Sequence, residues 1–159
     1  MNTYGKIISI EQVDSFELGN MPNMNGKNGA RLGMSQMIGI LNGHRSMEGY
    51  KVVTKEHSIF VLIDSEQSCC ESFGYLSSDD DLESFVGANL RDIVLTDTAL
   101  KSLSTNDNLQ YLDAGGVQFV NFETSRGTLQ LAVYNGHNGY YGHGIIVAID
   151  DKIICDNML

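Results

Sequence analysis

The sequence predicts an α+β fold: a mainly antiparallel, curled β-sheet with two or three short helices. Three observations predict it. Short runs rich in β-branched and aromatic residues recur along the chain, as in Lys6–Val13, Val117–Thr124 and Thr128–Asn135. The connections between the clearest of these runs are too short for helical crossovers, so neighbouring strands are antiparallel. Two other stretches, Ala30–Leu41 and Asp79–Gly87, carry helical signals.

Taken in order, Lys6–Val13 alternates and is rich in Ile, which suits a first strand. Glu17–Gly29 is rich in Gly, Asn and Met and holds the only proline, Pro22, so it reads as a loop. Ala30–Leu41 places Leu32, Met34, Met37, Ile38 and Leu41 at helical spacing, although Gly33 and Gly39 weaken that helix. Tyr50–Thr54 and Ser58–Asp64 form a hairpin with Lys55, Glu56 and His57 at its turn. Asp79–Gly87 crowds acids into a first helical turn and offers Gly87 as a C-cap. Leu90–Thr96 is a strand, and Lys101–Gly116 is a polar, turn-rich loop. Val117–Thr124 and Thr128–Asn135 are strands joined tightly by Ser125, Arg126 and Gly127. Tyr141–Ile149 is the last strand of this set.

The chain has 159 residues, enough for one domain spanning 1–159, with 17–49 read as a loop and short-helix insertion. A 42% hydrophobic content supports a folded chain. Twenty acids against ten bases give a net charge of −10. That field repels phosphate backbones, so no direct nucleic-acid binding is expected, and it suits a basic protein partner. The same acidity also serves solubility in many proteins. No membrane span is expected, because apolar runs such as Ile145–Ile149 fall far short of about 20 residues. Three cysteines, two of them adjacent, make no disulfide framework and point to reducing cytoplasm. No apolar leader follows Met1, so secretion is not expected.

The charge is concentrated. Asp64–Asp107 holds ten acids opposed only by Arg91 and Lys101, a local charge of −8. Gly26–Arg45 holds Lys27, Arg31 and Arg45 and no acid. Asp79, Asp80, Asp81 and Glu83 are therefore the candidate partner-binding acids, with Tyr140 and Tyr141 as candidate contact aromatics. The plainer reading makes these acids solvated helix N-terminal residues and these tyrosines sheet packing.

Two segments could carry metal chemistry: Gln67-Ser68-Cys69-Cys70-Glu71 and His137-Asn138-Gly139-Tyr140-Tyr141-Gly142-His143. An Asn138-Gly139 turn would bring His137 and His143 toward one point. Two imidazoles and a thiolate suit Zn²⁺, so the candidate ligands are Cys69, Cys70, His137 and His143. Adjacent residues of an extended strand face opposite ways, so both cysteines reach one metal only if the chain bends between them. Glu71 and Asp64 are candidate supporting residues behind those ligands. Cys155 reads as a buried small hydrophobe, and His44 and His57 as surface residues. No P-loop, dinucleotide fingerprint, nucleophile elbow or HExxH helix is present, and no catalytic residue is assigned.

The order Gln67-Ser68-Cys69-Cys70-Glu71, then Phe85-Val86-Gly87-Ala88, then Asn138-Gly139-Tyr140-Tyr141-Gly142 resembles a family of small phage-encoded proteins. The resemblance covers about Ile59–Ile149, and Gly19–Arg45 looks like an addition. The sequence is also similar to anti-CRISPR proteins that bind the effector nuclease of type II systems, some of which carry a structural metal. The resemblance implies an anti-defence protein in the cytoplasm of a bacterial host, binding a CRISPR effector nuclease and blocking DNA loading. Such a nuclease holds its heteroduplex in a positively charged channel, which the −8 segment would suit. Two other expectations stand beside this one. One is a metal-dependent hydrolase with a zinc-bound water and Glu71 as base. The other is a sponge for a defence signalling nucleotide, for which Arg31, Arg45 and Arg126 are the scattered candidates.

Overall fold

The computed structural model describes residues 3–17, 46–65, 72–77, 81–97, 100, 116–136, 143–150 and 152–159. They form nine strands: β1 Gly5–Glu17, β2 Ser46–Thr54, β3 Ser58–Asp64, β4 Ser72–Ser77, β5 Asn89–Thr96, β6 Gly116–Thr124, β7 Gly127–Gly136, β8 Gly144–Ile149 and β9 Lys152–Met158. All join one sheet in the order β4-β7-β6-β5-β1-β2-β3-β8-β9, and every pairing of named strands is antiparallel.

The sheet folds over on itself. β3 and β7 are far apart in strand order, yet Ile59, Val61 and Ile63 share one core cluster with Leu129, Leu131 and Val133. The bend falls where β1 meets β5 through only Gly5↔Leu90 and Lys6↔Asn89. Side chains with period two fill the space between the halves, Phe122 and Leu90 from one and Tyr50 and Val52 from the other. Each such fully buried aliphatic or aromatic side chain contributes about 1.5–3 kcal/mol. The central strands are also buried on their outer faces. Phe60, Leu62, Ile146 and Ala148 form a second cluster, and Phe119, Ala132 and Tyr134 a third. This accounts for the near-continuous apolar runs of β3 and β8.

Gly49 is required by the sheet. Its φ is +150°, and a Cβ there would lie 2.0 Å from the Val61 carbonyl oxygen on β3. At β9 a bulge after the Val147↔Cys155 pair leaves Ile154 exposed and turns Cys155 into the main core.

The expected α+β class is corrected to an almost wholly antiparallel β fold. Among the described residues the only helical segment is one 3₁₀ turn, Leu82–Phe85. The helix expected over Asp79–Gly87 does not propagate. Asp81 caps the turn by accepting from the Glu83 amide at 3.2 Å. Val86 is already extended, and Gly87 and Ala88 bond to Ile7 of β1. Joining the sheet there leaves room for one tight turn only. The Ala30–Leu41 helix lies outside the described residues. β2 begins at Ser46 rather than Tyr50, so residues 46–49 are strand rather than loop or short helix. The last expected strand starts at Gly144, with Tyr141 outside the described residues. β4 and β9 were not anticipated from the sequence.

Candidate functional site

One end of the fold gathers the boundaries of both segments singled out for metal chemistry. Ser65 closes β3, and its amide donates to the Ser46 carbonyl at 3.0 Å. Ser72 opens β4 opposite Gly136, the last residue of β7. His143 immediately precedes β8, which pairs with β3. The Leu159 carbonyl ties these pieces together, accepting from the His143 amide at 2.8 Å and from Asn135 Nδ2 of β7 at 2.7 Å. The described neighbours of the two segments, Ser65, Ser72, Gly136 and His143, therefore lie at this one end.

His143 is the described ligand candidate, and it is 2% exposed. Its Nδ1 lies 2.7 Å from the main-chain oxygen of Asp64. A carbonyl only accepts, so Nδ1 carries a proton and donates it to Asp64. A main-chain carbonyl fixing one ring nitrogen is a common way to orient a metal-binding histidine. Asp64 thus reaches His143 through its backbone, and its own carboxylate is buried. Glu48 of β2 belongs to the same end. Burial and the Asp14 carboxylate push its pKa up, and His143 opposes them.

Cys69, Cys70, Glu71, His137, Asp79, Asp80, Tyr140 and Tyr141 lie outside the described residues. Among the described residues no three His, Cys, Asp or Glu side chains group as a metal site. Asp81 and Glu83 are exposed on the 3₁₀ turn. Arg126, a candidate for anion binding, spends Nη1 on the Ser84 and Val86 carbonyls at 2.6 and 2.9 Å. It closes the carbonyl end of the 3₁₀ turn. Arg31 and Arg45 lie outside the described residues. Burial pushes the Cys155 thiol up, with Asp156 adding to the shift.

A second histidine site escaped the sequence reading. His57 is bonded to Asp150 rather than being a surface residue without a partner. Its Nδ1 lies 2.8 Å from Asp150 Oδ2, and Asp150 Oδ1 accepts from the Ser58 amide at 2.9 Å. Asp150 holds a left-handed φ of 56° to do so. Tyr4 packs edge-on to the His57 ring, with centroids 5.8 Å apart. His57 lies in the β2–β3 turn and Asp150 in the β8–β9 turn. Only the β3–β8 pairing brings them together, and nothing local in the sequence reports it.

Residues 3–147 match a family model described as a domain of unknown function, DUF7448, and the chain belongs to that family. No curated protein and no solved structure matches the chain. Among the described residues no helix is long and apolar enough to cross a membrane.

Proposed function

We propose that this protein is an acidic binding protein, stapled at one end by Zn²⁺, that inhibits a basic nucleic-acid-processing enzyme. The partner that best fits is a type II CRISPR effector nuclease in the host cytoplasm, as the similarity to anti-CRISPR proteins implies. The observation that carries the reading is the presentation of charge. Glu11, Asp14, Asp81, Glu83 and Asp92 are exposed on strands and a capped turn of a chain with net charge −10. Charges held on a rigid frame dock without a large ordering cost. The zinc part draws its support from the buried His143, oriented by the Asp64 carbonyl, and from the boundaries gathered around it. In this reading Cys69, Cys70 and His137 supply the remaining ligands, and the metal's work is structural.

The test is inhibition of guide-directed DNA cleavage by a type II effector nuclease. The wild-type protein inhibits, and inhibition weakens as salt rises. Asp81→Lys with Glu83→Lys weakens it about tenfold, a loss of about 1.4 kcal/mol. Unimpaired cleavage at saturating protein in low salt contradicts the reading.

A further inference from the structure

β1 is unlike the other long strands. It has 13 residues, yet among its described side chains only Ile7 is buried. On one edge it pairs with β2 from Ile7 to Glu17. On the other edge it meets β5 only at Gly5 and Lys6, and Ile7 bonds to Gly87 and Ala88. Beyond Ile7 no described strand pairs with that edge. Bulges at Ile7/Ser9 and Val13/Phe16 bracket it, and between them Ser9–Val13 runs in regular register with Val53–Gly49. That regular stretch matches the usual length of a β-strand, about five residues.

An open strand edge offers main-chain donors and acceptors to an incoming strand. The side chains around it indicate which strand fits. Ile8 is 52% exposed, and Glu11, Gln12, Asp14 and Ser15 are exposed beside it. Glu11 stands opposite Lys51 of β2, while Asp14 has the Glu48 carboxylate near it. The 3₁₀ turn with Asp81 and Glu83 leads through Val86 and Gly87 to the point where Ile7 is bonded, and so flanks the start of the edge. A second copy of this chain fits poorly, because it would set acids against acids between two chains of charge −10.

We propose that the edge of β1 that no described strand pairs, centred on Ser9–Val13, takes up an extended basic segment of the protein partner as an added strand. Main-chain pairing supplies affinity, and Glu11, Asp14, Asp81 and Glu83 select lysine and arginine side chains. This rests on the binding-protein reading above and names its surface.

The probe is a synthetic peptide of alternating lysine and valine, titrated into the full chain with hydrogen exchange read residue by residue. The same series is run with the guide-loaded effector nuclease. Slowed exchange in Ser9–Val13 on peptide binding is expected, with affinity lowered about tenfold by Glu11→Lys with Asp14→Lys. A peptide of the same charge, N-methylated at alternate residues so that one edge cannot pair, should protect nothing there. Equal binding by the methylated peptide, or binding that leaves Ser9–Val13 unprotected, overturns strand addition. A second copy as occupant, seen as protection rising with protein concentration alone, also overturns it. Nuclease binding with Ser9–Val13 unprotected sinks this inference and leaves the inhibitor reading standing. Peptide protection with no nuclease binding supports the inference and sinks only the choice of nuclease.

Discussion

His143 Nδ1 lies 2.7 Å from the main-chain oxygen of Asp64, across 79 residues of sequence. The contact makes Nδ1 the donor and fixes the orientation of the ring. His143→Ala removes a buried donor and, in the reading proposed here, a zinc ligand. The purified wild-type chain should carry about one zinc per molecule, and the variant should lose it. Its stability should fall by about 2–4 kcal/mol from the cavity and the orphaned carbonyl. Elemental analysis and thermal denaturation check the two halves separately.

Gly49→Ala is expected to be severely destabilising, by about 3 kcal/mol or more. The new Cβ would lie 2.0 Å from the Val61 carbonyl oxygen, which is backbone inside the β2–β3 ladder and cannot swing away. Urea denaturation would register this as a lower midpoint or as failure to fold. A stability equal to wild type would mean that β2 and β3 are paired differently.

Asp150 ties two hairpin turns together, and its pKa lies below the ordinary aspartate range. The hydrogen bond from His57 is the larger cause and that from the Ser58 amide the next. A depressed folded-state pKa adds stability above the unfolded value, about pH 4, and loses it as pH falls through the folded value. Asp150→Ala should cost about 1 kcal/mol at neutral pH, most of it from the left-handed backbone, because water screens the half-exposed pair with His57. The gap between variant and wild type should narrow in acid. Parallel melts at neutral and acid pH measure it.

Cys155 should resist alkylation while the protein is folded. It is buried in the main core, and burial pushes its thiol up, away from the reactive thiolate. In the proposed zinc site Cys69 and Cys70 should also be protected, until a chelator releases the metal. Mass spectrometry after iodoacetamide, with and without chelator, should then show two labels appearing on chelation and a third only on unfolding.

Much of the sheet is legible in the residues. Alternation locates β1, runs of β-branched and aromatic residues locate β6 and β7, and the short links between strands give their antiparallel sense. The 3₁₀ turn was misread as a helix because its acids and Gly87 do form capping chemistry. What ends it after four residues is the bonding of Gly87 and Ala88 to Ile7, some 80 residues away in sequence. β9 escaped because its bulge breaks the alternation between Ile153 and Cys155. At the candidate site, His143 was visible as a residue type in a turn-rich segment. Its burial and its bond to the Asp64 carbonyl depend on β3 lying beside β8, which no local pattern encodes.

In the proposed function this acidic chain binds a basic nucleic-acid enzyme and keeps DNA from it. The most direct measurement is its equilibrium binding to guide-loaded type II effector nuclease across a salt series, with target duplex DNA as competitor. A complex is expected at low salt that weakens steadily as salt rises and excludes the duplex. No complex at low salt, or a complex that still binds duplex with undiminished affinity, would contradict it.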